Sequence, residues 1–326
     1  MFDIIGDVHG HAIHLEALLK KLGYQKINGV YQHPERKALY VGDLVDRGPS
    51  QVETYKIVRA MHDADKALVI LGNHEFNAVA FATPDPDEPS EFLRKHTKGN
   101  LRQHQEFLNQ VGQDSALHVE MIEWFKTLPA YIDDFGLRAV HACWHHESIT
   151  AMQPWLDGNK AIKADAWVTA SRKGSVFYEA IENVLKGLEA TLPKGVTYID
   201  EDGNQRGKTR TRWWLEDATT FREALLVPSS IRDRIPHDPL PDSVRLVYDK
   251  QRPLFIGHYW LRGKPELLNA HMACLDYSIG VGTSSGSLCA YRWDGEHHLD
   301  GEKFVAVIGG AENMHNKDMA NIVLSR

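Results

Sequence analysis

The apolar residues of this chain concentrate in short, nearly unbroken runs separated by stretches with helical spacing. Phe2 to Ile5, Ala38 to Val41, Ala67 to Leu71, Leu137 to Val140 and Pro253 to Ile256 are the five clearest. Runs this short, without polar alternation, read as buried strands. Between the first two, Leu15, Leu18, Leu19 and Leu22 recur at i, i+3, i+4 and i+7. That stripe predicts a helix over His11 to Leu22, ended by Gly23. Lys26 to Val41 predicts a hairpin turning at His33-Pro34-Glu35-Arg36. Pro49 and Ser50 open a second helix to about Met61, with Val52, Tyr55 and Val58 or the Arg59 stem facing inward. The first third therefore reads β-α-β-β-α-β, a layered α/β pattern.

Thr83 to Pro89 is rich in proline and predicts a surface loop. Two helical patches follow, at about Leu101 to Val111 and His118 to Leu128. From Thr150 to about Val247 the strand rhythm stops, tryptophans accumulate (Trp155, Trp167, Trp213, Trp214), and a helix is expected around Ser175 to Ala190. The rhythm resumes at Pro253. The chain thus reads as a single domain over 1–326, with a core of 1–150 and 250–326 and an insertion of about 151–249 covering the site. Leu275 to Ser278 and Ser287 to Trp293, separated by Gly280, Gly282 and Gly286, predict paired strands.

Polar residues crowd the ends of the five apolar runs: Gly6-Asp7-Val8-His9-Gly10, Gly42-Asp43-Leu44-Val45-Asp46-Arg47-Gly48, Gly72-Asn73-His74-Glu75, Val140-His141-Ala142 and Gly257-His258. In open α/β sheets, ligands bind beyond the carboxyl ends of the strands. Asp7 and His9, two apart in an extended segment, leave one face together and can grip one ion. Asp43 has two carboxylate oxygens and can bridge two ions. Asn73 offers an amide oxygen, and His141 and His258 offer imidazole nitrogens. Nitrogen and oxygen donors without thiolate suit Mn, with Fe, Zn, Ni or Co as alternatives, rather than Ca. Two divalent ions bring four positive charges against the two carboxylates, so the site stays net positive and ready for a phosphate and a hydroxide. Water bridging such ions has its pKa pulled toward ~7 or below and becomes the expected nucleophile.

The neighbours of these ligands then take roles. His74 can protonate the leaving oxygen, Asp46 can orient His74, and Arg47 offers a fork for phosphate oxygens. Arg210 and Arg212, beside Trp213 and Trp214, read either as a phosphate clamp with aromatic surface for a base or as a solvated basic strand over core aromatics. His11, His14, His145 and His146 read as helix-surface or loop histidines, and Cys143 as a small buried residue.

Composition narrows the setting. With 43% hydrophobic and 25% charged residues, the chain is an ordinary globular protein. A net charge of -7 argues against general nucleic-acid affinity, so an anionic substrate must be drawn locally by metals and arginines. Three cysteines without CxxC spacing exclude a disulfide framework or zinc ribbon and fit the reducing cytoplasm. No signal-peptide pattern opens the chain, and no run approaches the roughly 18 apolar residues of a membrane span, so no membrane partner is expected.

The ordered set GDxHG, GDxVDRG, GNHE, a strand-end histidine and a late GH resembles the calcineurin-like metallophosphoesterases, within them the phosphoprotein-phosphatase group. Among bacterial members it is most similar to symmetrical diadenosine tetraphosphatases, small Ser/Thr protein phosphatases and polynucleotide phosphatase domains. The Arg-x-Arg-aromatic cluster and Asp276, before a glycine-rich hairpin, point to the tetraphosphatase branch. The resemblance covers about 1–150 and 250–300. It implies a four-layer α/β/β/α sandwich with an inserted substrate-covering region and a dinuclear centre. Asp7, His9 and Asp43 would hold one ion, and Asp43, Asn73, His141 and His258 the other. Where many protein phosphatases have His-Gly-Gly, this chain has His141-Ala142-Cys143 followed by Trp144-His145-His146, so a less permissive loop and a substrate mouth reshaped by the bulky residues are expected. The expected activity is metal-dependent hydrolysis of phosphate monoesters, protein phosphatase-like, by a metal-bound hydroxide. The alternatives are a symmetrical dinucleoside-polyphosphate or polynucleotide-end hydrolase, and a non-catalytic regulator that binds metal and phosphate. The expected partner is a phosphorylated substrate: a phosphoprotein, a nucleotide or a small phosphate ester.

Overall fold

A computed structural model describes residues 1–199, 205–281 and 286–308. Gly282, in the expected loop before the last strands, lies outside them. The first third runs β1 (Phe2–Ile5), α1 (Ala12–Lys21), β2 (Gln25–Ile27), β3 (Val30–Gln32), β4 (Lys37–Tyr40), α2 (Gln51–Asp63) and β5 (Ala67–Val69). Then come α3 (Asn73–Ala82), α4 (Lys98–Val111), α5 (Ala116–Phe125), β6 (Tyr131–Asp134), β7 (Leu137–Val140), α6 (His146–Met152), α7 (Trp167–Ser171) and α8 (Val176–Lys186). Short pieces follow: β8 (Glu189–Thr191), β9 (Tyr198–Ile199), β10 (Gln205–Arg206), β11 (Lys208–Arg210), α9 (Phe221–Ala224) and α10 (Ser229–Arg232). The chain returns through β12 (Leu254–Ile256), β13 (Met272–Cys274), β14 (Asp276–Tyr277), β15 (Ser287–Trp293) and β16 (Phe304–Ile308).

Two sheets stack at the centre. One has the order β14-β15-β1-β4-β5, with β16 also on β15, and the other β13-β12-β7-β6. Within them β1, β4 and β5 run parallel, as do β7, β12 and β13. Side-chain alternation divides each strand between two cores. Ile4, Leu39, Ala139, Phe255 and Tyr291 pack between the sheets. Ile5, Tyr40, Val140 and Ile256, each next to one of those, pack against the helices. Both strand faces are covered, which is why the runs read as unbroken apolar stretches. The result is the four-layer α/β/β/α arrangement.

At three places the local pattern misleads or is silent. The hairpin does not turn at His33–Arg36: β2 and β3 pair antiparallel and the chain reverses at Asn28 and Gly29, with φ of 51° and 86°. Asn-Gly accepts the left-handed pair that a tight hairpin demands. The stretch before β4 is held by Arg36 instead, whose Nε donates to buried Asp3 at 2.9 Å and whose fork donates to the carbonyls of Phe2 and Trp293. Second, α3 gave no amphipathic signal because it is buried nearly all round, from Asn73 through Phe81. Third, His11 and His14 are buried, ring against ring at 5.5 Å, not on the surface. Burial pushes His11 down to about 4, so the imidazole enters the interior neutral.

The described residues of 151–249 contain two different kinds of structure. Trp167, Phe177, Ile181 and Val184 join the main core, and the amides of Ala142 and Cys143 donate to the Val184 carbonyl. Ala190, Leu192, Leu225, Val227, Ile231 and Ile235 make a small core of their own. The loop from Thr83 to Pro89 is tied down as well, because Arg172 pairs with buried Asp85 and with Asp87 at 2.7 Å.

Candidate metal centre

The parallel strands deliver Asp7 and His9 after β1, Asp43 after β4, His141 after β7 and His258 after β12, while Asn73 and His74 open α3 after β5. All seven side chains are buried. Asp43 sits at their centre. Its Oδ2 lies 3.3 Å from His141 Nε2, 3.7 Å from His9 Nε2 and 3.8 Å from His74 Nε2. Its Oδ1 accepts the His74 amide at 2.9 Å. Asn73 Oδ1 is 3.1 Å from His141 Nε2. Asp7 Oδ2 accepts the His258 amide at 3.0 Å.

Unusual backbone places these groups. His9, Asp43, Asp46, Arg47 and His258 all have φ between 47° and 74°. Asp7 and His9 are therefore not consecutive residues of one extended face, as spacing alone suggested. The chain turns at His9, and it is the turn that brings its ring over Asp43. Gly257 permits close approach, since a Cβ there would lie 2.0 Å from Asp7 Oδ1. Glu75 fixes the Asp43 loop from behind. Its two oxygens accept the amides of Asp43 (2.9 Å), Leu44 (2.8 Å) and Gly72 (3.1 Å). Burial and the Asp43 charge push Glu75 up to about 7.

The ring orientations fit a ligand role. His9 Nδ1 faces the Val45 carbonyl at 3.0 Å and His141 Nδ1 the Val41 carbonyl at 2.7 Å, which leaves the Nε2 of each ring toward Asp43. Burial pushes His141 down, but Asp43 outweighs it and raises its pKa. Burial, with His74 nearby, pushes His9 down to about 3, and burial beside Arg210 holds His258 well below the usual range. Burial, Asp276 and Asp43 push Asp7 well up. For Asp43, burial works in the same sense, but His141 and His74 outweigh it and hold the carboxylate well below its ordinary range.

Three buried atoms at the centre, Asp7 Oδ1, His9 Nε2 and His258 Nε2, have no hydrogen-bond partner. Buried polar atoms are rarely left so. Two sets of donor atoms, His9-Asp43-His74 and Asp43-His141-His258, each lie within 4.8 Å of one another and share Asp43. Two cations joined by one carboxylate fit that donor set. His74 stands in the first set, where sequence reasoning put Asp7. Residues 1–188 match the family model described as calcineurin-like phosphoesterase. The chain belongs to that family.

That family is one of dinuclear metal-dependent phosphoesterases, and the donor set around Asp43 fits such a centre. Over 131 residues it is 36% identical to an Oceanobacillus iheyensis protein named bis(5'-nucleosyl)-tetraphosphatase PrpE (asymmetrical), covering 40% of this chain and 50% of that one. A Halalkalibacterium halodurans protein of the same name is 47% identical over 74 residues, 22% of this chain and 30% of its own. The chain thus spans half or less of the length of these curated relatives. Among solved structures, the cold-active protein-tyrosine phosphatase of a psychrophilic Shewanella species is similar at 18% identity and a TM-score of 0.48, over 89% of this chain and 75% of that one. Among the described residues, no helix is long and apolar enough to cross a membrane.

Next to the phosphoesterase centre, His74 Nδ1 lies 2.5 Å from Asp46 Oδ2, and the other Asp46 oxygen meets His104 Nδ1 at 2.7 Å. Burial pushes Asp46 up, but His104 and His74 outweigh it and hold the carboxylate below its ordinary range. Sequence reasoning missed His104, although its signal was present. On α4 it occupies the buried stripe with Phe107, Leu108 and Val111, where an apolar residue is expected. Arg47 lays its guanidinium 4.2 Å over the Trp260 ring. Trp260 is itself pinned by its amide donating to buried Asp276 at 2.7 Å.

The two arginines of β11 and its extension part company. Arg210 reaches toward the centre, its guanidinium 3.5 Å from the His258 carbonyl. Arg212 does not. It donates to the Glu223 carbonyl and lines a separate cleft with Trp213, Leu240 and Val244. The strand ends at Arg210, so the two-residue alternation that would put both on one face stops there. Trp213 and Trp214 are buried, with Trp213 donating to Tyr259 Oη at 2.8 Å and Trp214 edge-on to the Tyr259 ring. They anchor residues 208–214 beside His258 as core aromatics and offer no face to a base.

His104→Gln is expected to lower kcat about tenfold with little change in KM, because a loosened Asp46 lets His74 drift. The loss should grow with the basicity of the leaving group. A uniform loss across leaving groups would mean that His104 only stabilises the fold.

Proposed function

We propose that the chain hydrolyses nucleoside-ended phosphates of the dinucleoside-polyphosphate class. The observation that carries this reading is the stack of Arg47 on Trp260 beside the Asp43 centre. Such a pair joins a phosphate fork to a partly exposed planar surface on which a base can lie. The names of the curated relatives favour the same substrate class. Protein phosphatase-like action on phosphate monoesters is the second reading, supported by the centre itself, whose donor set suits attack at phosphorus in an ester as well as in an anhydride.

In this scheme Asp7, His9, Asp43, Asn73, His141 and His258 hold two divalent ions, manganese in the first instance. When bound, these ions acidify water and neutralise charge on phosphate oxygens. His74 holds the proton at Nε2 for the leaving oxygen. Asp46, accepting from Nδ1, fixes the ring. Arg47 and Arg210 bind non-bridging oxygens, and Trp260 orients the nucleoside. Arg212, the third arginine expected from sequence, keeps its structural contacts.

The test is a hydrolysis panel in excess Mn2+: diadenosine tetraphosphate, phosphopeptides, mononucleotides and p-nitrophenyl phosphate. The expected result is a kcat/KM for the dinucleotide at least tenfold above the others, lost on Trp260→Ala. A phosphopeptide preference would reject the nucleotide reading. In the same assay Arg210→Ala should raise KM for the preferred substrate about tenfold while Arg212→Ala leaves it unchanged. Equal effects of the two would remove Arg210 from the scheme.

A further inference from the structure

A second cluster of imidazoles stands at the edge of the sheets opposite the catalytic centre. His271 immediately precedes β13, level with the start of β12, whose other end carries His258. His297 and His298 follow β15, whose last residue, Trp293, pairs with Phe2 at the start of β1. The two segments are joined by the Leu299 amide donating to the Ala270 carbonyl at 2.8 Å. One nitrogen from each ring lies within 4.8 Å of the other two. Ring centroids are 4.9 Å apart for His271 and His297, 4.6 Å for His271 and His298, and 5.2 Å for His297 and His298.

Two of the rings are oriented as metal-ligating histidines are, one nitrogen given to a backbone carbonyl and the other left with its lone pair. His271 Nδ1 is 3.3 Å from the His297 carbonyl, and His297 Nε2 is 3.3 Å from the Gln251 carbonyl. The nearby cation, Lys250, is paired with Glu216 at 2.7 Å. Tetrahedral ligands at about 2.0–2.1 Å stand roughly 3.3 Å apart, and the His298 ring, exposed and without a carbonyl contact of this kind among the described residues, is the one left to close that gap.

We propose that His271, His297 and His298 form a separate metal site for one imidazole-preferring divalent cation of the Zn2+ type, water completing the coordination. The site clips the β15–β16 connection of one sheet to β13, the edge strand of the other. It takes no part in hydrolysis. Three neutral nitrogens without a carboxylate select Zn2+, Ni2+, Co2+ or Cu2+ over Mg2+ or Ca2+.

The test compares the wild-type full chain with the His297→Ala/His298→Ala double variant, each dialysed against Zn2+. Both keep the Asp43 centre, so the difference between them isolates the remote site. The wild type is expected to hold one more Zn2+ per chain and to gain about 3–5 °C more in Tm at a hundredfold excess over Kd. The conservative His298→Gln should lose the same ion, and turnover should be equal in all three proteins. Equal zinc content in wild type and double variant overturns the proposal.

Discussion

Asp43→Asn is expected to strip the protein of both metal ions and of measurable activity while leaving it folded. The carboxamide keeps the shape of the carboxylate, and its oxygen can still accept the His74 amide. What it cannot keep is the charge. The oxygen facing His141, His9 and His74 at 3.3 to 3.8 Å becomes a neutral amide whose nitrogen has no lone pair to give a cation. Changes in groups that merely orient metal ligands cost 10–100-fold in affinity. Loss of the shared ligand should exceed a hundredfold. Metal analysis after dialysis, with circular dichroism as the check on folding, reads the outcome directly. Retention of two ions at wild-type affinity would remove Asp43 from the bridge.

His74→Ala should lower kcat by about 10²–10⁴-fold, the ordinary worth of a positioned proton donor, with metal content intact. The loss should be largest for alkoxide-like leaving groups and nearly vanish for p-nitrophenolate, which departs without a proton. His74 Nε2 is also one of three donor atoms grouped around Asp43, so metal content is the discriminating measurement. If the variant loses an ion along with its activity, His74 is a ligand and the proton at the leaving oxygen needs another source. If it keeps both ions and the leaving-group dependence is flat, the acid role fails on its own terms.

Much of the centre was legible because strand ends are short and their chemistry is local. An apolar run followed by glycine, a carboxylate and an imidazole states where the strand stops and what it presents there. Asp7, Asp43, Asn73, His141 and His258 were visible for that reason, as were the layered architecture and the β14–β15 pairing. His104 was hidden because it sits on a helix 58 residues from Asp46, and nothing in its neighbours specifies which carboxylate its ring will meet. Arg210 and Arg212 looked equivalent because spacing assumes that a strand continues, and here it ends between them.

By itself, then, the order of residues determined the fold class and the face of the sheets on which the candidate donors gather, since burial of both strand faces and the polarity of parallel strands follow from local pattern. Tertiary structure decided the rest. It chose Asp43 Oδ2 as the atom on which three imidazoles converge, set Arg47 on Trp260, turned Arg212 away, and brought His271 to His297 and His298 across the sheet edge. Those are contacts between distant segments with left-handed backbone at His9, Asp43 and His258, and such conformations are imposed by the packing around them rather than by the residues' own preferences.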